Sequence, residues 1–405
     1  MGEMQKRELL ISQGGKSARS SFVPLLYLAA IAMFSLLSRI VLSPLLPTIE
    51  DELQLTHGQS GSFFLYTSIG FTLSMLSSGF VSKKLTHRFC ILASTLTAGF
   101  ALFAVSLSPS LIWIRLFLLF LGAGTGLYMP SAMGTITSLV KADQRGRAIA
   151  IHEIGFNMSF ISAPLLVRFL LPLISWRGII RVISILFSAA GVVFVLFGEG
   201  GEGRGNPPHV NHIRQIFSQP SFWIIAVLFA LVIGAEVGVY SIIPTFLVKE
   251  KGMEQGYVNT LLGLSRVSGL LMIFVTGWLI DRIGVEALLI GVLGTAAIFT
   301  ILLGFTGGSL LILAVFLQPL VIICFFPAAL SAMSSIGPPE LISLATSLLI
   351  PFSYLFGAGL VPAGMGLLGE RGAFSIGFFL TGGSLFAGLI PLFFFRFTDG
   401  GEKNQ

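Results

Sequence analysis

The chain has 405 residues, 54% of them hydrophobic and only 10% charged, with a mean hydropathy of +0.92 and a net charge of +6. A soluble domain carries roughly a quarter charged residues, which excludes a soluble enzyme or binding module and points to a chain embedded in a lipid bilayer. The two cysteines, Cys90 and Cys324, fall in apolar runs and offer neither a disulfide framework nor metal-ligand spacing, so no cofactor or metal is expected.

Apolar runs of 18 or more residues recur about twelve times, each able to cross a hydrocarbon core of about 30 Å. In chain order they read as 22–47, 58–82, 89–107, 110–139, 148–171, 178–198, 221–248, 256–280, 286–306, 308–334, 341–368 and 372–396. The alternating pattern of a membrane barrel is absent. The first twenty residues are polar and the first apolar run is too long for a signal-peptide core, so no cleavable signal is expected. Between Gly198 and Pro220 the chain turns polar and Gly-rich, which reads as a linker. The expectation is an all-α membrane protein of twelve transmembrane helices. It divides into a tail (1–20), a six-helix bundle (21–198), a linker (199–220), a second bundle (221–397) and a tail (398–405).

Charge placement sets the expected orientation. With the N-terminus and the even-to-odd connections on one side, that side holds fifteen of the 24 Lys and Arg, from Lys6 to Lys403. Six lie near the other face, and Arg39, Arg115 and Arg266 lie within spans. This positive-inside excess places both termini in the cytoplasm and accounts for the basic balance without nucleic acid.

The two halves repeat. Arg39 precedes Pro47 by eight positions, and Glu236 precedes Pro244 by eight, 197 residues later. Met129-Pro130-Ser131-Ala132 answers Phe326-Pro327-Ala328-Ala329 at the same interval. Gly79 answers Gly277 and Pro164 answers Pro362, both 198 apart. Several matches at one period indicate duplication, and an even number of helices per half makes the repeat parallel, with a site expected between the halves near mid-membrane.

With these residues the chain resembles a major facilitator superfamily transporter from about residue 20 to 397. Gly277-Trp278-Leu279-Ile280-Asp281-Arg282-Ile283-Gly284 resembles that family's cytoplasmic motif, which implies a cytoplasmic gate at Asp281 and Arg282. The first-half copy, Gly79 to Arg88, departs from it, with Lys83 where the family has Asp. Arg115, followed by Gly122, Gly124 and Gly126, resembles the fourth-helix motif, which implies helix contacts. The stretch from Ser38 to Pro47 resembles the first helix of the anion:cation symporter branch, where an Arg is implicated in organic-anion transport. Ser38 stands where that branch has Asp. A mid-helix Arg on the eighth span, here Arg266, also resembles carboxylate and nitrate carriers.

Charges inside a bilayer are costly and usually face a cavity or a partner. Arg39 and Arg266 suit an anion, since a guanidinium can hold a carboxylate bidentately; each could instead be a packing Arg or one side of an internal ion pair. Glu236, near the middle of the seventh span, is the leading proton-coupling candidate, or else the permanent partner of Arg39 or Arg266. Glu153 and His152 lie at the start of the fifth span and could relay protons, gate the path or simply suit the helix terminus. Asn157, one turn deeper, and Tyr128, Tyr240, Gln318 and Tyr354 are candidate cavity liners. The expected function is a proton-coupled symporter for a small anionic solute, carboxylate-type foremost, working by alternating access in a bacterial cytoplasmic membrane, as a monomer. The alternative is a proton-driven drug or metabolite exporter; Ala163 before Pro164, where exporters tend to have Gly, weighs against it. No catalytic motif is present and no enzyme is expected.

Overall fold

The computed structural model describes residues 18–207, 210–333 and 339–392. The basic residues expected in the two tails lie largely outside this range. Twelve long helices run in chain order. The first half comprises α1 (Val23–Leu53), α2 (His57–Lys84), α3 (His87–Leu107), α4 (Leu111–Leu139), α5 (Ala142–Leu170) and α6 (Trp176–Phe197). The second comprises α7 (Pro220–Glu250), α8 (Gln255–Ile283), α9 (Val285–Phe305), α10 (Gly308–Ala332), α11 (Leu344–Gly369) and α12 (Phe374–Leu392). All except α8 meet the length and hydropathy of a membrane span over their described residues. A helix that must satisfy every backbone polar group internally is the form such sequences take in lipid.

The linker is less plain than its composition suggests. It carries a short helix, Val210–Phe217. Its first part is pinned to the α2–α3 turn: the His87 and Arg88 amides donate to Gly203 and Gly201, and Arg88 donates to Glu202, Val195 and Gly198 oxygens. We call this end of the bundle the linker end, and the opposite one the far end.

Contact between the halves follows a two-fold pattern. α1 packs on α7, α2 on α11, and α5 on α8, so each contact either maps onto itself or onto its partner when the halves are exchanged. Prolines explain two of the bonds at this seam. Pro244 has no N–H to give Tyr240, four residues earlier, so the Tyr240 carbonyl is free; Ser43 Oγ donates to it at 2.7 Å. Ser43 and Tyr240 are 197 residues apart, and so are duplicates of one position meeting at the axis. Pro164 likewise frees the Phe160 carbonyl, which accepts from Tyr240 Oη at 3.1 Å.

Among the described residues, the bonds joining the halves lie between mid-bundle and the far end. Thr72 Oγ1, mid-way along α2, donates to the Pro351 carbonyl. Farther out, Gln255 bridges to Thr48 Oγ1 and the Pro44 carbonyl, and Lys249 pairs with Asp51. Glu370 accepts from Thr56 Oγ1 and the Gly58 amide, capping the start of α2 from the other half. Glu254 caps α8, and the Gly256 and Tyr257 amides hold its carboxyl below the usual carboxylate range. One apolar core spans both halves toward the far end, whereas a second, around Phe222, Leu293 and Phe325, belongs to the second half alone. At the linker end Lys141, Arg145, Arg147, Asp281 and Arg282 are exposed.

Candidate functional site

α1 and α7 are each 31 residues long, about 46 Å, so both overrun the hydrocarbon core. α1 continues through Pro47 to Leu53, and this extension places Arg39 sixteen residues from its start, at the middle. Glu236 holds the corresponding place in α7. Both side chains are buried.

Glu236 pairs with Arg266 of α8, its Oε1 lying 3.6 Å from the guanidinium Nη1. That separation is inside ion-pair range yet longer than a hydrogen bond. The Arg266 guanidinium lies over two rings, 4.8 Å from Phe160 and 4.9 Å from Tyr240. Phe160 and Tyr240 meet edge to face, fixing the platform. Cation–π contact of this kind offsets part of the cost of holding a guanidinium away from water. A cavity of about 10 Å³, room for about one water, adjoins the pair and is lined by Asn157, Phe160, Glu236, Arg266, Gly269, Pro319 and Ile323.

Around Glu236 the helix is locally wound as π-helix, from Gly234 to Gly238. A second π segment, Tyr354–Leu360, lies against it on α11. The two backbones touch: a Cβ on Gly357 would lie 2.5 Å from the Gly234 nitrogen. A wider turn redirects the carbonyls beside Glu236, and Gln318 Nε2 donates to one of them, that of Ala235, at 2.7 Å.

Arg39 does not reach Glu236. Its guanidinium lies over Phe71 at 4.5 Å and Tyr354 at 5.1 Å, two rings that touch each other, and its buried Nε has no hydrogen-bond partner. The Tyr354 hydroxyl lies within electrostatic range of Arg39, Glu236 and Glu153, linking the two arginine sites into one mid-depth cluster. Of the two carboxylate partnerships the residues left open, the one with Arg266 forms and the one with Arg39 does not.

The remaining candidates divide. Asn157 lines the cavity and donates to the Glu153 carbonyl. Glu153, Asn157 and Phe160 follow one face of α5 at spacings of four and three. Tyr240 backs Arg266. Tyr128 and Gln318 are instead buried in helix packing, because backbone carbonyls engage their polar atoms: Tyr128 Oη donates to Leu28, and Gln318 to Ala235. His152 is fully buried against Tyr128, whereas Glu153 is partly exposed. Asp281 and Arg282 are both exposed, and Arg282 lies over Trp278 of its own helix. Arg115 donates to Ser62 and lies over Tyr66, a helix contact between α4 and α2 as expected.

Sequence reasoning missed the Phe71 and Phe160 platforms, two of 37 phenylalanines with nothing local to mark them. It also missed Glu370 and Gln255, whose partners lie in the other half.

Twelve long helices, eleven of them long and apolar enough over their described residues to cross a membrane, around a buried cluster of opposite charges define a multi-pass membrane protein. The family model described as Major Facilitator Superfamily matches residues 28–362. The chain belongs to that superfamily, and it is a transporter, not an enzyme. It is 23% identical over 309 residues to the niacin transporter NiaP of Acinetobacter baylyi, covering 66% of this chain and 68% of that protein. It is 22% identical over 220 residues to a nitrite extrusion protein of Bacillus subtilis, covering 53% of this chain and 54% of that one. Among solved structures, a bacterial homologue of the human lysosomal transporter Spinster, inward-facing and unoccupied, superposes with a TM-score of 0.74 at 16% identity, covering 93% of this chain and 96% of that one. The nucleoside transporter NupG superposes at 0.77 with 14% identity, covering 92% and 99%. These structural matches speak to the fold.

Proposed function

We propose that the protein is a proton-coupled symporter of a small monovalent anion, carboxylate-type foremost, that works by alternating access. The observation that carries this reading is the loosely spaced Glu236–Arg266 pair beside a small cavity that Asn157 also lines. A buried ion pair is weakly stabilising at best, since desolvation offsets its attraction. A competing anion can therefore take over the guanidinium when the carboxylate is neutralised. Protonation of Glu236 releases Arg266, the anion binds it, and the charge of the site is the same before and after loading. Arg39, with no carboxylate of its own among the described residues, adds the surplus positive charge that draws an anion inward. Niacin and nitrite, named in the relatives, are both small monovalent anions at neutral pH, which supports this class.

The basic linker end is read as cytoplasmic, in a bacterial inner membrane. Its exposed charges and the bonded far end then correspond to an inward-facing state. Export by proton exchange is the second reading, favoured by the relative that is an extrusion protein. Proteoliposomes with an imposed pH gradient, screened against aromatic and aliphatic carboxylates, nitrite and lipophilic cations, test both. Anion accumulation on the alkaline side, with cations unmoved, is the expected result; movement of lipophilic cations alone contradicts it.

A further inference from the structure

The two nitrogens of His152 can be told apart by counting hydrogens. Tyr128 Oη stands 2.6 Å from the Leu28 carbonyl, which can only accept, so the single phenol hydrogen lies in that bond. The same oxygen is 3.0 Å from His152 Nε2 and must accept there, so Nε2 carries a hydrogen. Nδ1 is then the nitrogen whose hydrogen distinguishes the charged ring from the neutral one, in which it carries the lone pair. It is buried and has no hydrogen-bond partner, and Glu153 Oε1 lies 3.6 Å away. A lone pair facing a carboxylate is repulsive; a proton on Nδ1 turns the same geometry into an ion pair.

The surroundings fit a site that takes up a proton from one side. Tyr128 faces the ring from α4, and α1 presents the Leu28 carbonyl to the Tyr128 hydroxyl. From α5 itself come Glu153 and the edge of Phe156. Tyr354 of α11 is within electrostatic range of Glu153. The Glu153 side chain is 43% exposed while the imidazole is sealed, so the carboxylate is the more accessible of the two groups. One turn deeper on the same face, Asn157 lines the cavity of Glu236 and Arg266.

We propose that His152 Nδ1 is a second proton-binding site, with Glu153 as its counter-ion, loaded through Glu153 from the linker end and distinct from Glu236. It rests on the proton-coupled reading above and deepens it, giving the transporter a place to hold a proton between the linker end and the anion site.

Nitrogen-15 NMR of histidine-labelled full-length protein, recorded over a series of pH values, reads Nδ1 directly. His152→Gln identifies the signals, and its amide can still donate to Tyr128. The expected result is a hydrogen-bearing Nδ1 in the native protein that reverts to a lone-pair nitrogen in Glu153→Gln, while Nε2 keeps its hydrogen in both. Nδ1 in the same state with and without Glu153, whether protonated or bare, overturns the proposal. The partly exposed Glu153 position makes misfolding of that variant easy to check by size-exclusion. Glu236→Gln leaves the His152 signals unchanged, so the site is read even in a protein that accumulates no anion.

Discussion

Arg266 sits where one guanidinium serves a carboxylate, two rings and a cavity at once, and its planar shape is what makes this possible. Lysine keeps the charge but neither stacks nor forks. Arg266→Lys is therefore expected to weaken anion binding by about tenfold or more, a loss of about 1.5–3 kcal/mol for a charged hydrogen bond. Calorimetry on the purified protein measures this; unchanged affinity would place the anion elsewhere. Arg39→Lys is expected to weaken binding too, and it removes a guanidinium packed on Phe71 and Tyr354. Arg39, Arg266 and Glu236 were legible in the sequence because a charge inside an apolar run has few explanations. Their pairing was not, because it depends on how α1, α7 and α8 are rotated about their axes. Tyr128 shows the same limit: a hydroxyl mid-span could line a cavity or donate to a neighbouring helix, and only the packing decides.

At the scale of the element, α7 and α11 are irregular where they meet. Gly234, Gly238 and Gly357 let the two π segments approach to backbone contact. Gly357→Val places a side chain against backbone atoms that cannot yield, and is expected to destabilise the protein by about 1–3 kcal/mol and to disable transport. Gly364→Ala, on the same helix with open space around it, is the control expected to leave both unchanged. Thermal unfolding in detergent, read alongside uptake, compares the two; equal behaviour would show that the crossing is slack. The prolines that revealed the repeat also account for carbonyls used at the seam, since Pro244 and Pro164 each release one. The π turns left no such mark, because extra residues per turn leave an apolar run apolar.

For the whole molecule, duplication was the most legible feature, since matches at one period recur in corresponding spans. The state of the bundle was not, because the contacts that join the halves are polar pairs with nothing local to mark them. Here the far end is held by Glu370 on the start of α2 and by Lys249 with Asp51. Glu370→Gln removes a negative charge from a helix N-terminus, worth about 0.3–1 kcal/mol, and is expected to shift the population two- to fivefold toward a far-end-open form. Spin labels across the far end, or thiol labelling with the buried Cys90 and Cys324 replaced, read that shift; an unmoved distribution would remove Glu370 as a latch. The central claim is that the Glu236 carboxylate and the anion compete for one arginine, with protonation of Glu236 handing Arg266 to the anion. Glu236→Gln in proteoliposomes tests it most directly, with gradient-driven accumulation and counterflow exchange measured on the same preparation. The account predicts that accumulation is lost while counterflow continues; accumulation that persists at the native level would contradict it.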